Sequence, residues 1–517
     1  MYRVVRHAAK TGGFNHKRRT GVDADVGQDQ GKRGPEVGIF TAMGTRRISP
    51  FNPLTRWGLV RSRPPRSASF KEMARVRRQF DINAGLSRDA LCRANLEKFH
   101  GLVAYAQQHS PYYRRVILEH GIDPGACVPE DFPVLTKADF IAHFDDIVTD
   151  RSVTRNRIGA FLDRSTNPAD LFDGRYHVVH TSGTSGTVGY YVYNPWEWMC
   201  GSLHFAKSQT LGFRRRLAYV GATRGHFTGT ALAESAGRGI AKLFYHVQTF
   251  DINSPMDQVV ERLNAFKPAV VSGYGGSLKI LARLQENGRL NIRPKQLYYS
   301  GEPLAPQDRR HVQAVFDTPC INLYICSEHL MMGMSEPGPC DMQLFEDDLI
   351  FEFQTDHVRI TNLYNRSTPL IRYRLDDVLT PVNIPGDRSP FTRVRDVVGR
   401  SEKMLVFNNR HGQRDFIHPI VIAEFYVPGL LAFQVVVKGL ATFTFQVQLD
   451  RGLDNTQRDR TLGDIRRRLN DLLAQKHMEN VSFDIQPIDS LRPDPHTGKF
   501  RLIRYETGPT LENQVAR

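Results

Sequence analysis

The stretch HTSGTSGT, residues 180–187, is the most informative part of the sequence because it combines glycines with hydroxyl side chains. Glycines let a backbone come close to a ligand, and hydroxyl groups together with amide N–H groups form an anion cradle. The Gly-Lys-Ser/Thr ending of a Walker A loop is missing, and Val188 to Asn194 is typical of a strand rather than a helix. The pattern predicts a strand–loop–strand phosphate grip, and a plain hairpin turn rich in Ser, Thr and Gly is the alternative.

Five further short segments follow in the chain. YSGEP at 299–303 comes after an apolar strand, and YICSE at 324–328 comes after another about twenty residues later. The remaining three are IRYRLDD at 371–377, GRSEKM at 399–404 and TGKFR at 497–501. Each pattern is weak alone, but the order and spacing of all six are hard to produce by chance.

Taken together, these segments resemble the adenylate-forming superfamily, and specifically the phenylacetate–CoA ligase branch with its capsule-biosynthesis-type AMP ligase relatives. The resemblance runs from about Leu96 to Tyr505, and it includes HSPYYRRVILEHGIDP and FPVLTKADF, which look like the N-terminal helices of that branch. It implies that a carboxylate attacks the α-phosphate of ATP–Mg²⁺ and expels pyrophosphate. The acyl-adenylate is then captured by a thiol, usually that of coenzyme A (CoA). The implied substrate is a small-molecule aryl or other hydrophobic acid.

The resemblance also implies which residues bind ATP. The hydroxyl-rich loop would hold the β- and γ-phosphates, two strand-end segments would line the adenine, and Asp377 would accept hydrogen bonds from the ribose. The full ATP-binding set is Thr181, Ser182, Gly183, Thr184, Ser185, Gly186, Thr187, Ser300, Gly301, Glu302, Pro303, Asn322, Leu323, Tyr324, Asp377 and Arg400.

The catalytic and metal-binding residues follow from the same resemblance. Lys499 would reach the α-phosphate and the carboxylate oxygen and stabilise charge as it develops. Glu328 would hold Mg²⁺, a hard cation that prefers carboxylate and phosphate oxygens. The hinge of this superfamily, about which the small C-terminal domain rotates between the two half-reactions, matches Arg400 and Glu402. The resemblance gives Arg400 a catalytic role as well.

Three departures from the branch pattern bear on the substrate and the acceptor. Thr187 and Val188 stand where a lysine usually follows the phosphate loop, and Ile325 replaces a glycine near the acyl pocket, which suggests an unusual or smaller acid. NNRHG at 408–412 differs from the common RGVN beside the expected CoA channel. The acceptor therefore stays open between CoA and an amine, a hydroxyl or the thiol of a carrier protein.

Several of these residues also have ordinary structural explanations. Glu328 is also compatible with a carboxylate at a helix N-terminus. Asp376 competes with Asp377 for the ribose, although spacing from Tyr373 favours Asp377. His180 and Tyr274, with the glycines around Tyr274, are compatible with the acyl pocket or with plain packing.

The alternation of apolar runs with helical segments predicts an α/β fold, a large N-terminal adenylation domain of several sheets with a largely parallel one, and a small mobile α+β C-terminal domain. We place a basic, disordered tail at 1–72, the adenylate-forming domain at 73–399 and the C-terminal cap at 400–517. Thr136 and Asp139 predict a capping box. Phe433–Val437 and Thr442–Leu449 predict a hairpin in the cap.

Composition limits the other classes of function. Residues 1–72 hold 15 Lys and Arg against 5 Asp and Glu, so they carry +10 of the net +15. The basicity thus lies mainly in the tail, which argues against a specific nucleic-acid-binding protein. No apolar run is long enough for a membrane span, the tail lacks a secretory h-region, and six scattered cysteines indicate reduced thiols, so we expect a cytoplasmic enzyme. A homodimer is compatible with the sequence. A catalytically silent binding module is the remaining alternative.

Overall fold

The computed structural model describes residues 68–165, 167–181, 188–208, 213–223, 225–252, 254–301, 304–335, 341–384, 386–395, 405–417, 427, 429–489, 491 and 502–506. The predicted tail therefore lies outside the described residues as far as residue 67. Residues 70–72, placed in that tail by the sequence, belong to a helix that begins at Phe70.

The helices concentrate in the first hundred described residues and around the central sheet. The α-helices are α1 (Phe70–Ala84), α2 (Arg88–His109), α3 (Pro111–Glu119), α4 (Lys137–Ala142), α5 (Phe144–Ile147), α6 (Arg155–Leu162), α7 (Pro195–Leu203), α8 (Thr228–Ala236), α9 (Met256–Phe266), α10 (Gly275–Glu286), α11 (Pro306–Phe316) and α12 (Asn455–Gln475). Short 3₁₀ helices span Pro129–Asp131, His204–Ser208 and Gly239–Leu243.

The strands form one large sheet and several small ones. They are β1 (His177–His180), β2 (Tyr190–Tyr193), β3 (Arg215–Gly221), β4 (Tyr245–Asp251), β5 (Val270–Tyr274), β6 (Gln296–Ser300), β7 (Cys320–Cys326), β8 (Leu330–Ser335), β9 (Asp341–Leu344), β10 (Leu349–Phe353), β11 (Val358–Asn362), β12 (Tyr373–Leu375), β13 (Pro381–Val382), β14 (Arg393–Arg395), β15 (Leu405–Asn408), β16 (Arg414–Ile417), β17 (Leu430–Gly439), β18 (Thr442–Leu449), β19 (Ser482–Pro487) and β20 (Ile503–Tyr505).

Side-chain caps start the N-terminal helices. The Ser69, Ser87 and Ser110 side chains accept hydrogen bonds from the first turns of α1, α2 and α3. The predicted capping box at Thr136 and Asp139 is confirmed, because each side chain accepts from the backbone N–H of the other. These caps satisfy N–H groups that have no partner within the helix.

The central sheet has the strand order β13-β14-β9-β8-β7-β6-β5-β3-β4. The pairs from β4 to β7 are parallel, whereas those from β7 to β13 are antiparallel. The largely parallel sheet expected from the sequence is therefore half antiparallel. The reason is local: residues 327–329 form a tight turn that returns β7 directly into β8, whereas a parallel neighbour needs a long crossover.

A close backbone contact explains one glycine of this sheet. Gly273 in β5 lies so near β3 that an added Cβ would be 2.3 Å from the carbonyl oxygen of Val220. Any larger residue would push the two strands apart. The glycine therefore serves strand packing.

The C-terminal region forms its own core. The four-stranded sheet β19-β18-β17-β20 is covered by the apolar face of α12, which buries Ile465, Leu469 and Leu473. The predicted hairpin is confirmed, since β17 and β18 pair antiparallel. The junction near residue 400 lies outside the described residues, so the domain boundary there stays a prediction.

In the part of the chain that the structure describes, the cysteines form no disulfide bonds. Cys92, Cys127, Cys200, Cys320 and Cys326 are free thiols. Within that part, no helix combines the length and the apolar character needed to cross a bilayer.

Candidate active site

The carboxyl ends of the parallel strands β5, β6 and β7 lie along one edge of the central sheet, where open α/β sheets bind their ligands. Register places Ser300 beside Tyr274, and Asn322 beside Tyr299. Gly301 follows Ser300 with a φ of +76°, a left-handed conformation that favours glycine. Two of the predicted ATP-binding segments are thereby neighbours, although Glu302 and Pro303 lie outside the described residues.

The β1–β2 hairpin carries the hydroxyl-rich loop. Its two strands pair antiparallel from His177 with Tyr193 to His180 with Tyr190. At the loop base, Thr181 N donates to Gly189 O, and Gly189 N donates to Thr181 Oγ1, both at 3.0 Å. The two predicted strands that flank the motif are therefore confirmed, while Ser182 to Thr187 lie outside the described residues.

Three contacts fix this hairpin to the turn after β7. Tyr193 Oη lies 2.8 Å from the carbonyl oxygens of both Ser327 and Glu328. Ser327 Oγ donates to His180 O at 3.0 Å. The base of the predicted phosphate loop thus sits directly against the predicted metal-binding residue.

Glu328 is a buried carboxylate at the centre of a tyrosine cluster. It is 6% exposed, and its Oε1 accepts a hydrogen bond from Tyr191 Oη at 3.3 Å. The hydroxyls of Tyr191 and Tyr373 share a hydrogen bond of 2.9 Å, and Phe140 stacks on Tyr191 with ring centroids 4.9 Å apart. Glu328 lies in the turn between two strands, so the alternative of a helix N-terminal carboxylate is wrong.

Lys137 is a cation whose charge acts on this carboxylate, and it is not among the site residues predicted from the sequence. Burial raises the pKa of Glu328 while the Lys137 charge opposes that shift. Burial lowers the pKa of Lys137, and Glu328 is the largest influence in the other direction. Perturbed ionisable groups of this kind concentrate at functional sites. The feature of the sequence that could have indicated Lys137 is its position within FPVLTKADF, one of the segments that resemble the ligase branch.

Asp377 joins the same site through β7. Tyr324 Oη donates to Asp377 Oδ2 at 2.6 Å, a length typical of a hydroxyl bound to a carboxylate. Burial raises the pKa of Asp377, and the Tyr324 hydroxyl counteracts this. Asp376 instead has an 83% exposed side chain and accepts from Arg374 Nε at 2.9 Å. Of the two neighbouring aspartates, Asp377 is therefore the less exposed one and the one that β7 holds.

Comparisons with known proteins bear on the fold. No family model matches the chain. Protein CapK of Staphylococcus aureus is 20% identical over 340 residues, which is 60% of this chain and 68% of that protein. The crystal structure of 2-hydroxyisobutyryl-CoA ligase in complex with 2-HIB-AMP and CoA in the thioesterification state is 18% identical and gives a TM-score of 0.51, covering 84% of this chain and 94% of that one. The same ligase in its postadenylation state gives a TM-score of 0.48 at 18% identity, with coverages of 82% and 92%.

The chain has the adenylate-forming fold. The superfamily resemblance predicted from the sequence is confirmed at the level of the fold. The expected class, an α/β protein with a separate α+β C-terminal domain, is confirmed as well.

Within the adenylate-forming fold, β7 separates two environments. Tyr324 meets Asp377, while Leu323 and Ile325 line an apolar cavity. Leu323, predicted beside the adenine, therefore faces the cavity, because alternate side chains of a strand point to opposite faces. Ile325, predicted near the acyl pocket, lines this cavity, which is large, at about 900 Å³.

His180 and Tyr274, which the sequence left between the acyl pocket and packing, both have partners within the protein. His180 is half-buried, its Nδ1 lies 3.2 Å from Thr181 O, and burial lowers its pKa to about 4, so it is neutral at physiological pH. Tyr274 packs with Ala222, Ile252 and Phe416. Tyr274 is absent from the cavity lining, so packing explains it.

The C-terminal domain of the adenylate-forming fold contacts the same sheet edge. Phe416 in β16 packs on Tyr274, and Lys476 Nζ lies 3.2 Å from Ser254 O and 3.4 Å from Asp415 Oδ1. Lys476 is buried, which lowers its pKa, while Asp415 raises it. Arg400, Glu402 and Lys499, the predicted hinge and catalytic residues, lie outside the described residues.

Proposed function

We propose that the protein is an AMP-forming acid–thiol ligase. It activates a small-molecule carboxylic acid with ATP, releases pyrophosphate and transfers the acyl group from the adenylate to CoA. We place it with the phenylacetate–CoA ligase-like enzymes and their capsule-type relatives, which the similarity to CapK supports. The acid is aryl or otherwise hydrophobic.

One observation carries this proposal. Segments far apart in the chain meet through two hydrogen-bonded carboxylates at the carboxyl edge of the central sheet. The bonds Tyr191–Glu328 and Tyr324–Asp377 join β2, β7, the turn after β7 and the segment after β12. An acidic pair beside a hydroxyl-rich loop matches the needs of a nucleotide with a metal-bound triphosphate.

The reaction asks these residues mainly to position the reactants. The Thr181–Thr187 loop holds the β- and γ-phosphates through N–H and hydroxyl donors, and Asp377 accepts hydrogen bonds from the ribose hydroxyls. The adenine lies between the segment 300–303 and the side chains of Asn322 and Tyr324, on the face of β7 opposite to Leu323. One acid oxygen then attacks the α-phosphorus in line while the bond to pyrophosphate breaks, which requires little covalent chemistry from the protein.

Glu328 would hold the Mg²⁺ that accompanies the nucleotide. No set of three His, Cys, Asp or Glu side chains suited to a metal occurs in the described part of the chain. The donor set nevertheless fits Mg²⁺, because this ion commonly takes one or two carboxylates and completes its shell with phosphate oxygens and waters. When bound, it would neutralise phosphate charge. The charge of Lys137 also acts on this carboxylate and opposes the effect of burial on it.

The small C-terminal domain supplies the catalytic lysine in this proposal. We divide the chain into a tail that ends before α1, the adenylate-forming domain from α1 to residue 399 and the cap at 400–517. Rotation about Arg400 and Glu402 inserts Lys499 for adenylation and withdraws it for thiol transfer. Arg400 adds a second cation near the nucleotide.

A non-CoA acceptor is the second candidate, because the turn expected at the CoA channel is unlike that of the branch. In the structure, Asn409 Oδ1 accepts from His411 N and Gln413 N within this turn. Arg410 Nη1 contacts Glu479 at 3.4 Å. An amine, a hydroxyl or a carrier-protein thiol would share the first half-reaction with CoA.

Two assays separate the half-reactions. Pyrophosphate release with hydroxylamine as an artificial acceptor reports adenylation by itself, and thiol consumption reports transfer to CoA. We expect acid-dependent hydroxamate formation that falls at least about a hundredfold in Glu328→Gln. The matched control is Glu346→Gln, which alters another buried carboxylate, one that contacts Arg88 away from the site. Equal losses in both variants, or no hydroxamate with any acid, would contradict the proposal.

A further inference from the structure

We propose that the acid activated by this protein carries a long aliphatic tail, which lies in the cavity between the central sheet and helices α1, α7 and α8. The inference rests on the proposed function, because it takes the carboxylate to react at the nucleotide site. It narrows the substrate class from hydrophobic acids in general to fatty acids and similar chains.

The cavity begins where the nucleotide site ends. Its lining includes Ser300 at the end of β6, and Leu323 and Ile325 on either side of Tyr324 in β7. Tyr324 itself holds Asp377, the proposed ribose ligand. An acid whose carboxylate reacts beside these strand ends therefore has the cavity directly next to it.

The cavity extends across most of the sheet. Its floor takes side chains from six strands that are adjacent in the sheet order, namely Met331, Leu323, Ser300, Ser272, Tyr219 and Tyr245. At about 4.8 Å between neighbouring strands, six strands span roughly 24 Å. A cavity of this length suits an extended chain better than a compact ring system.

The inner part of the lining is apolar and buried. Leu217, Tyr219, Leu323 and Trp198 are each at most 5% exposed. His177, stacked on Trp198 with ring centroids 4.4 Å apart, is neutral because burial lowers its pKa to about 3. Burial of aliphatic surface is the main favourable interaction that such a wall offers.

Two serines of the lining already have partners within the protein. Ser235 Oγ accepts from Trp198 Nε1 at 2.9 Å and donates to Leu232 O at 3.0 Å. Ser202 Oγ donates to Met199 O at 3.3 Å. A polar substrate tail would lose its hydrogen bonds to water here and gain few in return.

Charged lining residues lie toward the open end of the cavity. Arg78 and Asp81 on α1 and Arg238 after α8 are all exposed. Phe70, at the start of α1, is 59% exposed and also belongs to the lining. The cavity thus changes from buried and apolar at the nucleotide site to exposed and charged at the surface, so a long tail has room to reach solvent.

The volume favours a large acyl group over a single aromatic ring. At about 900 Å³ it lies near the upper end of the roughly 300–1,000 Å³ typical of small-molecule sites. At roughly 30 Å³ per small group, the share of one water in the liquid, it has room for on the order of thirty non-hydrogen atoms. A small aryl acid would leave much of the wall without contacts.

The test is a chain-length series with the full-length protein: acetate, butyrate, octanoate, dodecanoate and hexadecanoate, together with phenylacetate, assayed for pyrophosphate release. Each buried methylene should raise kcat/KM about fourfold until the chain reaches the mouth. A kcat/KM that is highest for phenylacetate or for butyrate would overturn the inference and leave the proposed function standing.

Two α8 variants test the location. Ala233→Phe fills the buried part of the cavity, and Ala236→Phe fills a half-buried position nearer its open end, where the fold tolerates added volume more easily. Either should cut kcat/KM for hexadecanoate on the order of a hundredfold and leave butyrate within about threefold. Ala104→Phe, the same change at an exposed position of α2 that is absent from the lining, is the control. Equal effects on both acids would place the tail elsewhere.

A binding measurement separates this inference from adenylation. Without ATP, the fluorescent fatty acid cis-parinaric acid should bind the full-length protein saturably, be displaced by hexadecanoate but not by phenylacetate, and bind at least about tenfold more weakly to Ala236→Phe. Such binding without activity toward any acid would support the cavity while contradicting the ligase proposal. Absence of saturable binding would refute the tail site, whichever acids are activated.

Discussion

Replacing Tyr324 by phenylalanine removes one hydroxyl and tests whether Asp377 belongs to a nucleotide site. The lost bond is short, at 2.6 Å, and it ends on a carboxylate that burial partly desolvates. A hydrogen bond to a charged group contributes about 1.5–3 kcal/mol. If Asp377 must be held in place to accept from the ribose, that energy corresponds to an increase in KM for ATP of about 10- to 150-fold.

The pH dependence gives a second, independent readout for the same variant. The Tyr324 hydroxyl lowers the pKa of Asp377, so its removal should raise that pKa further. A protonated Asp377 accepts hydrogen bonds less well. The fall of kcat/KM for ATP on the acidic side should therefore move to higher pH in Tyr324→Phe.

Tyr176→Phe is the matched control, because Tyr176 Oη donates to Asp150 Oδ2 at 2.9 Å at the far end of the β1–β2 hairpin. It removes the same type of bond and should leave KM for ATP unchanged. Initial rates of pyrophosphate release at varied ATP measure both variants, and thermal unfolding confirms that both are folded. If Tyr324→Phe keeps KM within twofold of the unmodified protein, Asp377 is not a nucleotide ligand.

Three further predictions concern stability. Tyr191→Phe loses the hydroxyl that donates to Glu328 at 3.3 Å, so the free energy of unfolding in urea should fall by about 1 kcal/mol. Burial lowers the pKa of His180 to about 4 in the folded protein, whereas a histidine in the unfolded chain has a pKa of about 6.5, so the unfolded chain binds the proton first. The stability of the folded protein should therefore be full above about pH 6.5 and fall toward pH 4. Thermal unfolding at a series of pH values should show a less steep fall in His180→Asn. Gly273→Ala should destabilise the protein by about 2 kcal/mol because its Cβ would meet a backbone oxygen at 2.3 Å. Gly463→Ala, in open space on α12, should instead stabilise the protein by about 1 kcal/mol. The opposite order of the two variants in urea unfolding would contradict the packing described.

Local patterns explain what could be predicted from the sequence. The capping box at Thr136 and the β17–β18 hairpin depend on residues a few positions apart, and both are confirmed. The short motifs indicated the adenylate-forming fold through their resemblance to that superfamily. Two of them, at 299–303 and 324–328, lie at the ends of the neighbouring parallel strands β6 and β7, which share one edge of the sheet.

Contacts between distant segments explain what the sequence could not supply. The partner of Glu328 is Tyr191, 137 residues away, and no periodicity records such a pair. The sequence places Lys137 in a helix but gives no sign that its charge acts on Glu328. The antiparallel half of the central sheet depends on the short turn after β7. Ile325 alone suggested a smaller pocket, whereas the cavity volume depends on how α1, α7 and α8 cover the sheet.

The measurement that tests the central claim most directly is a crystal structure of the full-length protein with Mg²⁺ and a non-hydrolysable ATP analogue. We predict the ribose against Asp377, the adenine between Ser300 and Tyr324, and the triphosphate between the β1–β2 hairpin and Glu328. A nucleotide bound elsewhere on the protein, with Tyr324 and Glu328 untouched, would contradict the claim that these segments form one nucleotide site.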